Sequence, residues 1–258
     1  MNGNKQKKRR VKLPPTTEQQ IRRRTFRAFT IFFLLLGAGW LLFMRLYHED
    51  KDAGVQKTLR KGLEFNESLL TSIFTQARIS KEYTLADAMK KVRVNGNIGL
   101  GNDADTVGWK LKVIRAAGDT LFLSMDDIKA LPRTEVIFDF KCIEGWSQVT
   151  HWAGVRFSDF VKAYHLEAQA QEAYIGLQTP DKGYYVGIDR NSIMHKQTIL
   201  CYEMNGKPLP MDQGYPLRLI IPVKYGIKHL KRIGTLYFSN SKPPDYWAEQ
   251  GYDYYSGL

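Results

Sequence analysis

Cysteine is scarce in this chain. Cys142 and Cys201 are the only thiols among 258 residues, too few for a disulfide framework or a four-cysteine zinc site. No Cys-x-x-Cys-His occurs, which excludes covalently attached c-type haem. His-Glu-x-x-His, Gly-x-Ser-x-Gly, Walker and dinucleotide-glycine patterns are also missing. The five histidines (His48, His151, His165, His195 and His229) are scattered, with no two at metal-ligand spacing. There is no internal repeat and no low-complexity stretch after the first 45 residues. The apolar share of 43% and charged share of 25% are ordinary for a globular chain and exclude disorder throughout.

Acidic residues are nearly absent from the first 27 positions. That tail carries ten of the 38 Lys and Arg and a single acid, Glu18. The remaining residues hold 28 bases against 25 acids, so the net charge of +12 is a property of the tail. A basic surface for nucleic acid is therefore not expected.

The tail runs into Ala28–Met44, 17 residues without a charge, bracketed by Arg27 and Arg45. This length is at the short end for crossing a bilayer, and flanking arginines reach the interface by snorkelling. A buried core helix and a cleaved signal peptide are the competing readings. No A-x-A-like cleavage site follows Met44, and ten bases precede the run. The expectation is one retained anchor over 28–45, with residues 1–27 in the cytoplasm and 46–258 on the outer side. Arg23-Arg24-x-Phe26, just before the apolar run, resembles a twin-arginine export signal.

Residues 46–89 read as a stalk or helical linker, with Leu59, Leu63, Leu69, Leu70, Ile73 and Phe74 at roughly helical spacing. Thr84-Leu-Ala-Asp87 and Ser124-Met-Asp-Asp127 have capping-box form, and each predicts a short helix. Phe157–Tyr164 predicts another. Strands are predicted over Trp109–Arg115, Val136–Phe140, Tyr174–Gln178, Ile199–Met204, Leu217–Val223 and Thr235–Phe238, and Asn205-Gly206 predicts a tight turn. Without a βαβ rhythm, the expected class is α+β with mixed or antiparallel sheets.

Cys142 follows the strand expected over 136–140, next to Lys141, and precedes Gly145 and Trp146. A cation beside a thiol favours thiolate, which is a nucleophile or a soft metal ligand. Cys201 lies inside an apolar strand and reads as a small buried hydrophobe. Further on, Arg218, Lys224, Lys228, His229, Lys231 and Arg232 surround a turn marked by Pro222 and Gly226. Such a turn can aim backbone N–H groups and Lys side chains at an anion such as phosphate; a solvated basic loop is the alternative.

Cys142–Trp146 with Trp152-Ala-Gly154-Val resembles the molybdenum-binding cysteine segment of the sulfite-oxidase superfamily. Cys201-Tyr-Glu-Met-Asn-Gly-Lys-Pro-Leu-Pro210, Gly214-Tyr-Pro-Leu-Arg218 and Pro222-x-Lys-Tyr-Gly-x-Lys228-x-x-Lys231 resemble that fold's C-terminal signature. The resemblance covers about 90–258 and is nearest to the branch of periplasmic methionine-sulfoxide reductase catalytic subunits. It implies a molybdopterin-binding oxidoreductase domain with mixed β-sheets over 90–258, holding molybdenum-molybdopterin.

By the same resemblance, Cys142 is the protein thiolate on molybdenum. Arg218, His229 and Lys231 match positions that hold the pterin and its phosphate. Thr179 and Gln213 fall near cofactor contacts, with Gln213 in place of an Asn. Asn95 matches an N-terminal contact, although the aromatic neighbour usual there is missing. Tyr184 matches an active-site tyrosine of the sulfite-oxidising branch.

The implied activity is oxygen-atom transfer at a sulfur centre, on a small or protein-bound S-oxide. Electrons would come from a separate membrane or soluble carrier, haem- or quinone-linked. Sulfite dehydrogenation and a cofactor-free binding module are the other readings. Sulfite enzymes usually follow the Cys with paired arginines, where this chain has Ile143-Glu144. The cofactor is assembled in the cytoplasm, so a loaded domain implies export in the folded state.

Overall fold

The structure is a computed structural model. It describes residues 16–52, 54–73, 79–116 and 118–258. The expectations for the first 15 residues and for Phe74 lie outside the described residues. The chain divides into two units between Asp50 and Lys51.

The first unit is one helix, α1 (Thr17–Tyr47). Thr16 caps it reciprocally with Gln19: the Thr16 hydroxyl accepts from the Gln19 amide at 3.4 Å, and the Gln19 side chain accepts from the Thr16 amide at 3.3 Å. Thr30 spends its hydroxyl on the Phe26 carbonyl, 2.8 Å away, which suits an apolar setting. No residue of α1 is buried. At about 1.5 Å per residue its 31 residues extend about 46 Å, long and apolar enough to cross a membrane as an anchor or a signal segment. The apolar run is the C-terminal part of this helix, and Arg22, Arg23, Arg24 and Arg27 lie on its N-terminal part.

The second unit begins with the strands β1 (Lys51–Asp52) and β2 (Val55–Gln56), which form a small hairpin, and α2 (Lys57–Ile73). The stretch read as a stalk thus contributes to this unit from Lys51 onward. Near its end the main chain ties to the body, with Tyr83 donating to the Ile137 carbonyl at 3.0 Å and Met89 to that of Val149 at 3.0 Å. The Thr84 signal yields only a 3-10 turn, Leu85–Asp87. Its Asp87 carboxylate accepts from both the amide and the hydroxyl of Thr84.

The body continues with β3 (Leu111–Ala116), β4 (Asp119–Leu123), α3 (Met125–Lys129), β5 (Arg133–Lys141), β6 (Ser147–Arg156) and α4 (Phe157–Ala163). After these come β7 (Tyr174–Gln178), β8 (Tyr185–Asp189), α5 (Arg190–Ile193), β9 (Ile199–Met204), β10 (Lys207–Pro208), β11 (Arg218–Ile220), β12 (Thr235–Ser239) and α6 (Tyr246–Glu249). One antiparallel sheet has the order β10-β9-β6-β5, with β11 also on β9. The other has the order β4-β3-β12-β7-β8. In it β12 runs parallel to β3, and the other pairs are antiparallel. The architecture is the expected α+β class with mixed sheets.

The first sheet is buried on both faces. Along β9, Leu200 and Tyr202 join the large core, whereas Ile199 and Cys201 join a smaller cluster with Val136, Phe138 and Trp152. Two-sided burial explains why β9 is an unbroken apolar run. It also confirms Cys201 as a packing residue: burial pushes its thiol up to about 12. Gly154 marks the closest approach of β6 to β9, since a Cβ there would sit 2.0 Å from the Leu200 carbonyl oxygen.

The strand expected over Leu217–Val223 shortens to β11. Pro222 has no N–H for a ladder, and the Ile221 amide is taken by His229 Nδ1 at 3.4 Å. Strands β4, β6 and β8 were not among the predicted ones.

Candidate active site

Cys142 occupies the tip of the β5–β6 hairpin. Its amide donates to the Trp146 carbonyl at 2.9 Å, and the Gly145 amide returns to the Cys142 carbonyl at 3.0 Å. Gly145, at φ +88, makes this tight turn possible. The thiol faces a cleft enclosing about 800 Å³, open solvent included. Asn95, Tyr184, Arg218, His229 and Lys231 line the same cleft, so the structure brings most of the expected residues together. Gln213 lines an adjoining polar lobe that shares Asn95, Arg218 and Lys231 with it. Gly226 lets the basic turn approach the hairpin, because a Cβ on it would meet the Phe140 ring at 2.9 Å.

Among the described residues, two cations face the cleft. Arg218 is 2% exposed. It donates to the carbonyl and side-chain oxygen of Gln213 at 3.0 and 2.9 Å, and its guanidinium lies 4.6 Å from the Trp152 ring centre. Burial pulls it down to about 10. Lys231 donates to three main-chain carbonyls, those of Asn95 and Gly96 at 2.9 Å and of Asp212 at 2.8 Å. Burial, then Arg218, bring its ammonium down to about 7, against the opposing pull of Asp212.

The other Lys and Arg side chains of the basic cluster do not line the cleft. Lys224 pairs with Asp189 at 2.7 Å and Lys228 with Asp245, all well inside the fold. Arg232, fully buried, reaches Asp103 at 3.2 Å and the carbonyls of Asn102 and Tyr215. The amides of Lys224, Tyr225, Lys228 and His229 are all engaged with main-chain carbonyls. The turn is therefore a buried ionic staple with two cleft-facing cations, rather than an open phosphate loop. The physical reason is that a buried ammonium needs a carboxylate partner, and Asp189 and Asp245 supply it.

His229 is a wall and not a donor to a ligand. Its Nδ1 accepts from the Ile221 amide at 3.4 Å, and its Nε2 meets the Lys224 carbonyl at 3.1 Å. Burial and the nearby Arg218 push the ring down to about 3, so it is neutral. Thr179 lies off the cleft. Its hydroxyl donates to Asp181 at 2.6 Å and accepts from the Tyr184 amide at 3.1 Å, closing the β7–β8 hairpin. Tyr184 donates its hydroxyl to the Ile227 carbonyl, and burial holds the phenol far above its ordinary value. Lys141 is exposed and is not part of the cleft wall. The side chain beside the Cys142 sulfur is Asn95, whose amide nitrogen is 3.6 Å away.

Two lining residues, Trp247 and Tyr252, have no motif to announce them. With Trp146 they make much of the wall aromatic. The aromatic-rich C-terminus, Tyr-Trp-Ala-Glu-Gln-Gly-Tyr-Asp-Tyr-Tyr, is the one sequence signal for those two.

The family described as "Oxidoreductase molybdopterin binding domain" matches residues 99–247. The chain belongs to this family. It is a molybdenum-cofactor oxidoreductase of the sulfite-oxidase type, and its cofactor is molybdenum-molybdopterin. A relative in Azospira oryzae, provisionally named protein-methionine-sulfoxide reductase subunit YedZ1, is 29% identical over 208 residues, 80% of this chain and 78% of that protein. The protein-methionine-sulfoxide reductase catalytic subunit MsrP of Campylobacter jejuni is 30% identical over 178 residues, 62% of this chain. The chain spans only 60% of that relative's length. The Bacillus subtilis protein YuiH, named an uncharacterized oxidoreductase, is 30% identical over 149 residues, 57% of this chain and 74% of its own.

The residues present fit the group. A dithiolene-held metal needs one soft protein ligand, and a single thiol faces the cleft. An anionic cofactor needs buried cations with capacity to spare. Among the described residues, the Nε of Arg218 is buried without a hydrogen-bond partner, and an anionic acceptor in the polar lobe would satisfy it.

Proposed function

We propose that the protein reduces S-oxides by oxygen-atom transfer, as a membrane-anchored enzyme with its body on the outer side. Electrons come from a separate haem- or quinone-linked carrier. The names of the relatives in Azospira oryzae and Campylobacter jejuni, both methionine-sulfoxide reductase subunits, support the substrate class. The helix α1 supports the anchor.

The observation that carries the choice of substrate is the wall beside Cys142. It holds Ile143, Glu144 and Trp146, and no arginine is on the Cys142 turn. Glu144 stays ionised, because Asn95 and Trp146 donate to it and hold its carboxyl below the ordinary range. A carboxylate at the mouth repels sulfite, whereas a neutral S-oxide meets no such barrier. Lys231 is engaged with three main-chain carbonyls, and buried Arg218 has only its Nε to spare.

The bound molybdenum cofactor supplies a two-electron centre able to take up or release an oxygen atom. The chain's own residues do the rest. Cys142 would hold the metal from the hairpin tip, with the Asn95 amide beside the sulfur. Arg218, through its unpartnered Nε, and the charge of Lys231 would hold the anionic end of the cofactor. Tyr184, kept protonated and anchored on Ile227, presents a hydroxyl oxygen to the cleft without titrating near neutral pH.

The test is to purify the protein from a host that makes the cofactor. It is then assayed with a sulfoxide plus a reduced viologen, and separately with sulfite plus ferricyanide. Sulfoxide reduction with little sulfite oxidation is the expected result. Sulfite oxidation as the faster reaction overturns the reading in favour of a sulfite dehydrogenase. The cofactor-free module is set aside by family membership.

A further inference from the structure

The cleft wall opposite the Cys142 hairpin is built by the C-terminal segment Asp245–Tyr255. Two of its side chains, Trp247 and Tyr252, line the cleft. Their rings lie 5.1 Å apart edge to face, and the Tyr252 amide donates to the Trp247 carbonyl at 2.9 Å. Next to Trp247, the Tyr246 ring packs 5.4 Å from that of Tyr184, which ties this wall to the inner cleft.

The segment is held from below and from outside. Asp245 pairs with buried Lys228 and caps α6, accepting from the Ala248 amide at 3.0 Å. Lys224 donates to the Tyr255 carbonyl at 2.8 Å. On the outer side, Arg60 of α2 is only 7% exposed. It donates to the Tyr252 carbonyl at 3.1 Å and to the Ala248 carbonyl at 2.7 Å. Arg60 does not line the cleft, yet it grips the two ends of the loop that carries Tyr252. Arg60 and Tyr252 both fall outside the family match of 99–247.

We propose that this strap is the substrate-selecting wall, with Trp247 and Tyr252 holding the aryl substituent of an S-oxide, and Arg60 positioning them. The proposal rests on the S-oxide reading for the identity of the substrate. Two tilted aromatic rings at the mouth offer faces and edges to another ring, while a small polar sulfoxide gains nothing from them. Fixing the loop backbone through a guanidinium fork removes the ordering cost that a free loop would impose on binding.

The test uses the loaded full chain and two unreactive probes, methyl p-tolyl sulfone and dimethyl sulfone, followed by calorimetry. Wild type should bind the aryl sulfone on the order of tenfold more tightly than the dimethyl sulfone. Trp247→Ala and Tyr252→Ala should each remove most of that preference. Arg60→Met should weaken aryl sulfone binding roughly fivefold, with dimethyl sulfone binding and molybdenum content unchanged, and Arg60→Lys should recover part of the loss. In turnover, the Arg60→Met change should appear in KM for the aryl sulfoxide and not in kcat.

If the aryl preference survives Trp247→Ala and Tyr252→Ala, the wall is wrong. If Arg60→Met folds and binds like wild type, Arg60 is a structural staple and its positioning role is wrong. Should Arg60→Met fail to fold, Arg60→Lys decides the same point through the aryl to dimethyl ratio. Intact sulfone selectivity with no sulfoxide turnover sinks the S-oxide reading and leaves the wall standing. Turnover without aryl preference does the reverse.

Discussion

The side-chain amide of Asn95 lies 3.6 Å from the Cys142 sulfur, while the main-chain carbonyl of Asn95 accepts from Lys231 at 2.9 Å. One residue from the N-terminal loop thus links the thiol of the β5–β6 hairpin to a cation from the basic turn. Three segments distant in sequence meet on it. Asn95 thus sets its side chain directly against the sulfur that faces the cleft. Its backbone meanwhile keeps the Lys231 ammonium at the cofactor side of the cleft.

The two cysteines should separate cleanly. Cys142→Ala should abolish turnover and molybdenum retention with little change in melting temperature, because the hairpin tip is closed by main-chain bonds that need no thiol. Cys201→Ala should cost about 1 to 2 kcal/mol as a small cavity and leave activity intact. Elemental analysis and thermal unfolding of both variants read this directly. Full turnover by Cys142→Ala would remove that thiol from the mechanism.

The basic cluster should split in the same way. Lys228→Met leaves Asp245 buried without its cation and should cost about 3 to 5 kcal/mol. Lys231→Met strands no carboxylate and should cost less than about 1 kcal/mol, yet lower molybdenum content severely. Arg218 combines both roles, so Arg218→Lys is the useful variant: it keeps a charge but loses the fork to Gln213. Equal molybdenum content in Lys231→Met and wild type would mean that Lys231 serves only to hold the Asn95 loop.

Lys231 also sets a pH signature. Its folded value is about 7, against an ordinary 10.5. Between these values the unfolded chain binds more protons, so this group's contribution to stability rises as pH rises from 7 to 10.5 and is flat below 7. Subtracting the stability curve of cofactor-free Lys231→Met from that of cofactor-free wild type cancels the other titrating groups, Lys224 among them. The difference should slope upward over that window. With cofactor bound, the anion holds the proton on Lys231 and the slope should vanish.

How much of this was legible depended on how far apart the partners are. Cys142 could be found because a strand end, a thiol and a turn glycine are adjacent in sequence. The fates of Lys224 and Lys228 could not, because Asp189 precedes the turn by three strands and Asp245 follows it by one. A row of lysines looks the same whether it faces solvent or carboxylates. Strand β6 escaped notice because its first half, Ser-Gln-Val-Thr-His, is polar, though its second half is buried against both β5 and β9. Trp247 and Tyr252 reach the cleft only through long-range anchors, which no local pattern encodes.

Gly154 offers a test of the fold itself. With the Leu200 carbonyl 2.0 Å from where a Cβ would sit, Gly154→Ala must push β9 away from β6. A cost of about 3 kcal/mol is expected, lowering the melting temperature by roughly 6 to 12 °C. A wild-type melting curve would show that the two strands do not approach as described.

The final prediction concerns export. Arg23 and Arg24 precede Phe26 on a helix that runs without a break into the apolar stretch. A domain loaded with a cytoplasmically assembled cofactor must cross the membrane folded, since Cys142, Arg218 and Lys231 come together only in the finished fold. Arg23→Lys with Arg24→Lys keeps the charge of the segment. A plain positive-inside anchor reads charge and tolerates the exchange, whereas a receptor that reads the arginine pair does not. The double variant should therefore remain in the cytoplasm, protected from protease added outside spheroplasts. Digestion of its residues 46–258 as fast as in wild type would show that the pair is not read. The chain would then be threaded unfolded, and molybdenum analysis of the exported protein would decide whether it is loaded afterwards.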